Sequence, residues 1–182
     1  METIRFRLVL ILIVAMAVMT FTGCGIRYMV SGTVIDMDTH QPVAGAVVSI
    51  KWEKENFSLP GMGRSFTFLE LADAITGPDG KFKIPKYTFR DYHLAAYKKG
   101  YVCWASDDIF PDYRKREGFE VENGMVIELE PFKESYSKNK HAYWVKKVLE
   151  YNTNWSSGYK SKLREATKEE LKLYEKNKTE GK

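Results

Sequence analysis

From residue 28 to residue 130, runs of five to eight residues rich in β-branched and aromatic side chains alternate with short stretches carrying Gly, Pro, Asp and Asn, and no helical period lies between them. This spacing restricts the fold more than any other feature. Short polar connections without intervening helices point to an antiparallel β-sandwich of about seven strands rather than a βαβ fold. Residues 28–35 (YMVSGTVI) and 45–52 (GAVVSIKW) read as two strands joined by a tight polar connection containing Pro42. Residues 74–76, the Gly77-Pro78-Asp79-Gly80 turn and residues 81–84 predict a hairpin. Residues 92–98, 100–105 and 125–130 complete the set. In the last of these, Met125, Ile127 and Leu129 alternate with Val126, Glu128 and Glu130, which predicts one buried face and one largely wet face.

Two stretches interrupt the pattern and read as long loops: residues 53–71, with Pro60, Gly61 and Gly63, and residues 106–119, with Asp107, Asp108 and Asp112 beside Arg114-Lys115-Arg116. Past Pro131 the period changes. Ala142, Val145, Val148 and Leu149 fit one face of a helix, expected to dock on the sandwich. Asn152 to Gly158 breaks it, and Thr167-Lys168-Glu169-Glu170 carries the capping-box signature of a second, charged helix with only Leu171, Leu173 and Tyr174 to pack.

The stretch SGTVIDMDTHQPVAGAVVSI, with Gly32, Val34, Asp36, Pro42, Val43, Gly45, Ala46 and Val48, resembles the opening of carboxypeptidase regulatory-like domains. The later TGPDGKFKIP and YHLAAYKKGYV, with Asp79-Gly80, Phe82 and Lys98-Lys99-Gly100-Tyr101, resemble the second signature of that family. The resemblance implies a prealbumin-like (transthyretin-like) sandwich over residues 30–130. Its residues have structural jobs: Val34 and Val48 in the core, Pro42 stiffening a connection, Tyr101 closing the sheet. The motif therefore specifies a fold and not a chemistry.

The amino terminus reads differently. Arg5 and Arg7 precede the fourteen uncharged residues 8–21, followed by Thr22, Gly23 and Cys24, in the order of a secretory signal peptide. As a helix that run spans roughly 21 Å, short of a hydrocarbon core of about 30 Å. Thr22-Gly23-Cys24 after Phe21 resembles the lipobox of bacterial lipoproteins. That resemblance implies cleavage before Cys24, acylation of its sulfur and new amino group, and attachment to a lipid bilayer. Gly25 stands where an inner-membrane retention signal carries Asp, so the outer membrane is the expected location. The chain then divides into a signal peptide (residues 1–23), a carboxypeptidase regulatory-like sandwich (24–132) and a basic helical tail (133–182).

Residues 24–132 hold 13 basic and 16 acidic groups, a net −3, whereas residues 133–182 hold 13 and 7, a net +6. Such a tail is a solvated helix face or a contact for an anionic surface. Nucleic acid is excluded as a partner, since the basic groups lie mostly in the tail of an exported chain. With Cys24 acylated, Cys103 is alone and reads as a small buried apolar residue. His40, His93 and His141 stand outside any metal-binding spacing, and no nucleophile motif or phosphate-cradling loop occurs. No catalytic residue, metal or cofactor is expected. The chain reads as a non-enzymatic binding or assembly module of the cell envelope, with envelope proteins or glycan as partners. The alternative is a carbohydrate-binding module. Its ligand contacts would be Trp104, Asp107, Asp108, Phe110 and Tyr113, with the aromatics of both insertions, Trp52, Phe57, Phe66 and Phe68 included, as a stacking surface. Packing against the sandwich explains the same aromatics and is the expected arrangement, since large apolar side chains are mostly buried.

Overall fold

The computed structural model describes residues 26–57, 61, 63–88, 90–152 and 161–180. Cys24 and the signal segment lie outside the described residues. Nine strands and three helices follow in order: β1 (Arg27–Asp36), β2 (Val47–Glu55), β3 (Phe66–Ile75), β4 (Lys81–Tyr87), β5 (Asp91–Tyr97), β6 (Trp104–Ala105), β7 (Asp108–Ile109), β8 (Arg114–Lys115), β9 (Met125–Leu129), α1 (Lys138–Asn152), α2 (Lys162–Ala166) and α3 (Lys168–Thr179), among the described residues. Three strands in the order β4-β1-β9 stack on four in the order β3-β2-β5-β6, while β7 and β8 form a small ladder of their own. The chain is mainly β, a sandwich of antiparallel pairs with helices at its carboxyl end. One pair departs from the antiparallel rule, since β9 runs parallel to β1.

Between the sheets lies a core of Val34, Val48, Ile50, Trp52, Leu94 and Ile127, with Phe82 and Leu129 filling its edge. Alternation puts them there: Met125, Ile127 and Leu129 of β9 point inward while Val126 and Glu128 stay exposed. Trp52 reaches across and donates its indole N–H to Pro85 O (2.9 Å), so its one polar atom is satisfied inside.

β2 breaks the alternation, because all six residues from Val47 to Trp52 are buried. Its second face lies under the helices. Val47, Ala95, Tyr97, Val102, Cys103 and Ala105 meet Trp144, Val145, Val148 and Leu149 of α1 and Leu163 of α2 in a second core. The amphipathic face expected for the first helix docks as anticipated. It is fixed at Cys103, whose N–H is accepted by His141 Nε2 (3.0 Å) and whose carbonyl accepts the Trp144 indole N–H (2.7 Å). Cys103 itself is free and buried, and burial pushes its thiol far above the usual range.

The structure corrects four local expectations. The two strands on either side of Pro42 are joined as expected, yet they enter different sheets, with β1 beside β4 and β9 and β2 beside β3 and β5. The turn at Gly77–Gly80 forms, with Gly80 N donating to Gly77 O (2.9 Å), but its flanking strands do not pair as a hairpin. It carries the chain from β3 to β4 in the opposite sheet, where β4 pairs with β1. Residues 53–71 are not one long loop: their two ends belong to β2 and β3, which pair from Val47↔Ile75 to Glu55↔Phe66 with a bulge at Trp52/Glu53. The fourth correction concerns the capping box. Thr167 is the N-cap of α3, but its side chain makes no cap hydrogen bond. Because α2 runs directly into it, its hydroxyl donates to Leu163 O (2.9 Å), and Glu170 bonds the Tyr97 hydroxyl instead. That bond, with the Lys99–Glu169 pair, ties the second helix to the body although it buries no residue.

The signature residues hold the end of the sandwich. Asp36 Oδ1 accepts the N–H groups of Asp38 and Thr39 (2.9 and 2.8 Å), and Oδ2 accepts the Tyr101 hydroxyl (2.9 Å). Gly80 sits at φ +71, and a Cβ there would lie 2.5 Å from Val34 O, a distance only glycine permits.

Candidate functional site

The insertion at residues 106–119 is built as a flap over the β6 edge. Asp108 and Ile109 of β7 pair with Lys115 and Arg114 of β8. Asp108 anchors it. Its side chain, 8% exposed, receives Lys115 Nζ at 2.9 Å and Lys147 Nζ of α1 at 3.0 Å. Burial pushes this carboxyl up, but the hydrogen bonds from Lys115 and Lys147 outweigh it and hold the group below the usual aspartate range.

The aromatics of the flap turn inward. Phe110 is 4% exposed and packs edge-on against Tyr136 and His141 (5.4 and 5.5 Å). Tyr113 is half-buried on Trp144 (5.6 Å), with Lys147 over its ring. Trp104, 7% exposed, meets the edge of Phe119 at 4.8 Å, and the Arg116 guanidinium covers its ring at 4.3 Å. The structure thus brings Trp104, Asp108, Phe110 and Tyr113 to one flap, but not as a stacking surface. The aromatics of the first insertion lie elsewhere: Phe57 and Phe66 are exposed on the β2–β3 hairpin and Trp52 is in the core.

Asp107 belongs to a neighbouring polar cluster. His93 Nδ1 donates to Asp107 Oδ2 (3.0 Å), and Nε2 faces Glu53 Oε2 at 3.5 Å. Lys51 Nζ holds Glu53 at 2.8 Å, and the Tyr151 ring lies 5.5 Å from the imidazole. A histidine between two carboxylates resembles part of a catalytic relay, but the position a nucleophile would occupy at Nε2 is taken by Glu53. Ser106 Oγ accepts the Leu94 N–H (3.0 Å) and lies 3.3 Å from Asp107 Oδ2. The cluster links β2, β5 and the flap. His40 lies in the exposed turn after β1, at φ 58. Among the described residues, no group of three His, Cys, Asp or Glu side chains is placed to hold a metal ion.

Under the flap lies a cleft of about 150 Å³, lined by Met37, Trp104, Phe110, Arg114, Arg116 and Glu128 among others. Sequence reasoning missed Arg116. Its Nε donates to Ala105 O (2.8 Å) and its N–H to Asp107 O (2.9 Å), so it is held rigidly. No carboxylate lies within ion-pair distance of its guanidinium among the described residues, while Arg114 is bound loosely to Asp112 at 3.6 Å, in solvent. Burial, and then Arg114, hold the Arg116 guanidinium below the usual arginine range, with Glu128 too distant to compensate fully. The only sign of this in the sequence was a basic triplet inside an aromatic-rich insertion, which a solvated loop produces as readily.

No family model matches the chain, and no curated protein does. Solved structures similar to it include the C-terminal domain of the shaft pilin SpaA from Lactobacillus rhamnosus GG, 14% identical, covering 59% of this chain and 99% of that one with a TM-score of 0.32. Chlorocatechol 1,2-dioxygenase from Pseudomonas putida is 16% identical, covering 62% of this chain and 63% of that one, with a TM-score of 0.34. A 9R-lipoxygenase from Cyanothece is 16% identical, covering 68% of this chain and 22% of that one, with a TM-score of 0.28. Likenesses of this size transfer no function.

Proposed function

We propose that the chain is an envelope lipoprotein, tethered to the outer membrane through an acylated Cys24, whose body is a non-enzymatic binding module for a small ligand bearing a carboxylate beside an apolar group. The observation that carries the binding reading is Arg116: a half-buried guanidinium, stacked on Trp104 and without an acidic partner among the described residues, at the wall of a partly apolar cleft. Desolvating a cation without a partner is costly, so an incoming anion restores what burial removed. The same stack argues against the carbohydrate alternative, because Arg116 occupies the face of Trp104 that a sugar would need. Support for a non-enzymatic role is that the reactive groups are already engaged: Asp108 by two lysines, His93 by two carboxylates, His141 by a backbone N–H.

Two measurements test this. Titrating acetylated dipeptides ending in Phe or Leu, as free acids and as amides, while following the Trp104 indole resonance, is expected to show binding of the acids alone and its loss in Arg116→Gln. Equal response to acid and amide removes the cleft from the proposal. Labelling cells with a palmitate analogue tests the anchor separately; label that persists in Cys24→Ala refutes it.

A further inference from the structure

A tether at Cys24 leaves almost no linker. Ile26 is pinned to the sandwich, its N–H donating to Thr88 Oγ1 (3.0 Å) and its carbonyl accepting the Thr88 N–H (3.2 Å). Two residues further back, the Cα of Cys24 lies within about 8 Å of that of Ile26. The end of the sandwich where β1 starts therefore faces whatever holds the anchor.

That end carries a projecting hairpin. Arg27 Nε donates to Glu70 Oε2 (2.8 Å), which sets the start of β1 level with Glu70 of β3 and with its register partner Trp52 of β2. From that level the hairpin continues outward, to Phe66 on β3, about 13 Å of strand, and to Phe57 beyond β2, about 16 Å. The bulge at Trp52/Glu53 bends the ladder without ending it. It stays ordered beyond the strands, with Asn56 N donating to Ser65 O (2.9 Å) and Asn56 Nδ2 to Ser65 Oγ (3.2 Å). From Arg27 back to Cys24 the chain reaches about 11 Å at full stretch. Strands of stacked sheets run within about 30° of one another, so the hairpin extends at least as far toward the membrane as the anchor does.

Where it leaves the strands, the hairpin exposes two phenyl rings among its described residues. Phe57 is 92% exposed and Phe66 43%, and Arg64, paired to Glu55, lies over the Phe66 ring at 5.5 Å. An arginine neutralised by its own glutamate beside two phenyl rings suits a head-group layer, where rings enter the acyl boundary and the ion pair stays at its surface. We propose that the tip of the β2–β3 hairpin, through Phe57 and Phe66, docks into the head-group layer of the bilayer that holds Cys24, giving the body a second membrane contact and a fixed upright orientation. The inference rests on the acyl anchor.

The test uses the full chain, processed in cells and reconstituted in vesicles of phosphatidylethanolamine and phosphatidylglycerol. A Phe57→Cys variant labelled with an environment-sensitive fluorophore is compared with Ser65→Cys, a second position near the tip, and with Asp38→Cys at the far end of β1. Expected are blue-shifted emission and quenching by lipids spin-labelled near the head group at positions 57 and 65, with neither at 38. Water-like emission at both tip positions in protein whose intact mass shows an acylated Cys24 overturns the docking and leaves the anchor standing. A blue shift without quenching assigns the tip to a protein contact and overturns it too. An unacylated mass refutes the anchor and the docking together.

Discussion

A histidine nitrogen that accepts a backbone N–H cannot hold a proton of its own. His141 Nε2 accepts from Cys103 N in the second core, and burial lowers its pKa from 6.5 to about 4. Between those two values the unfolded chain binds a proton that the folded chain refuses, so stability is lost as pH falls from about 6.5 to about 4. The loss reaches about 3 kcal/mol. Urea unfolding midpoints across that window are expected to fall, and in His141→Gln to fall less, because an amide oxygen can accept the same N–H without titrating. Gly80 makes a second demand at this scale. With φ +71 and Val34 O 2.5 Å from any Cβ, Gly80→Ala is expected to cost at least about 2 kcal/mol, read from thermal unfolding. Asp108→Ala removes the acceptor of Lys115 and Lys147, and hydrogen bonds to charged groups put its cost at about 1–3 kcal/mol. Because Asp108 anchors the flap, faster hydrogen exchange there than in β2 is expected to accompany the loss.

Among the elements, those whose neighbours are local were legible and those whose neighbours are distant were not. The alternation of β9 and the apolar stripe of α1 each report one buried face, and both faces are where the pattern puts them. The Gly77–Gly80 turn was legible as a turn, but a turn fixes only its own few residues. Whether the next strand pairs with the last or crosses to the other sheet depends on the partners waiting there, here β1 for β4. Residues 53–71 were misread because Gly61 and Gly63 punctuate only the connection between the strands, while Phe66 and Phe68 already belong to β3. The helix pair illustrates tertiary override. Thr167 had the right residue type for a cap, yet α2 immediately before it claims its hydroxyl. Docking of α2 rests on Leu163, which is fully buried, and Leu163→Ala is expected to cost about 2–5 kcal/mol in chemical unfolding.

At the scale of the whole molecule the helices are a third layer of the body. They cover Val47, Ala95, Tyr97, Val102, Cys103 and Ala105, an apolar sheet face that would otherwise meet water. A chain ending at residue 132 is therefore expected to aggregate or to elute as oligomers in size-exclusion chromatography, where the chain continuing to residue 182 elutes as a single species. A tail that was merely an appendage would be removable without effect.

The sequence by itself determined the class of the fold, the core positions of Val34, Val48 and the inward face of β9, the existence and apolar face of α1, and the structural nature of Asp36, Gly80 and Tyr101. Each of these follows from a local period or a local backbone requirement. Only the tertiary structure decided which sheet each strand joins, that β2 is covered on both faces, that Trp104 and Phe110 are interior, and that Arg116 stands without an acidic partner among the described residues. These depend on residues far apart in sequence meeting in space. A guanidinium's partner, or its lack of one, is set by the fold around it and leaves no mark on its neighbours in the chain.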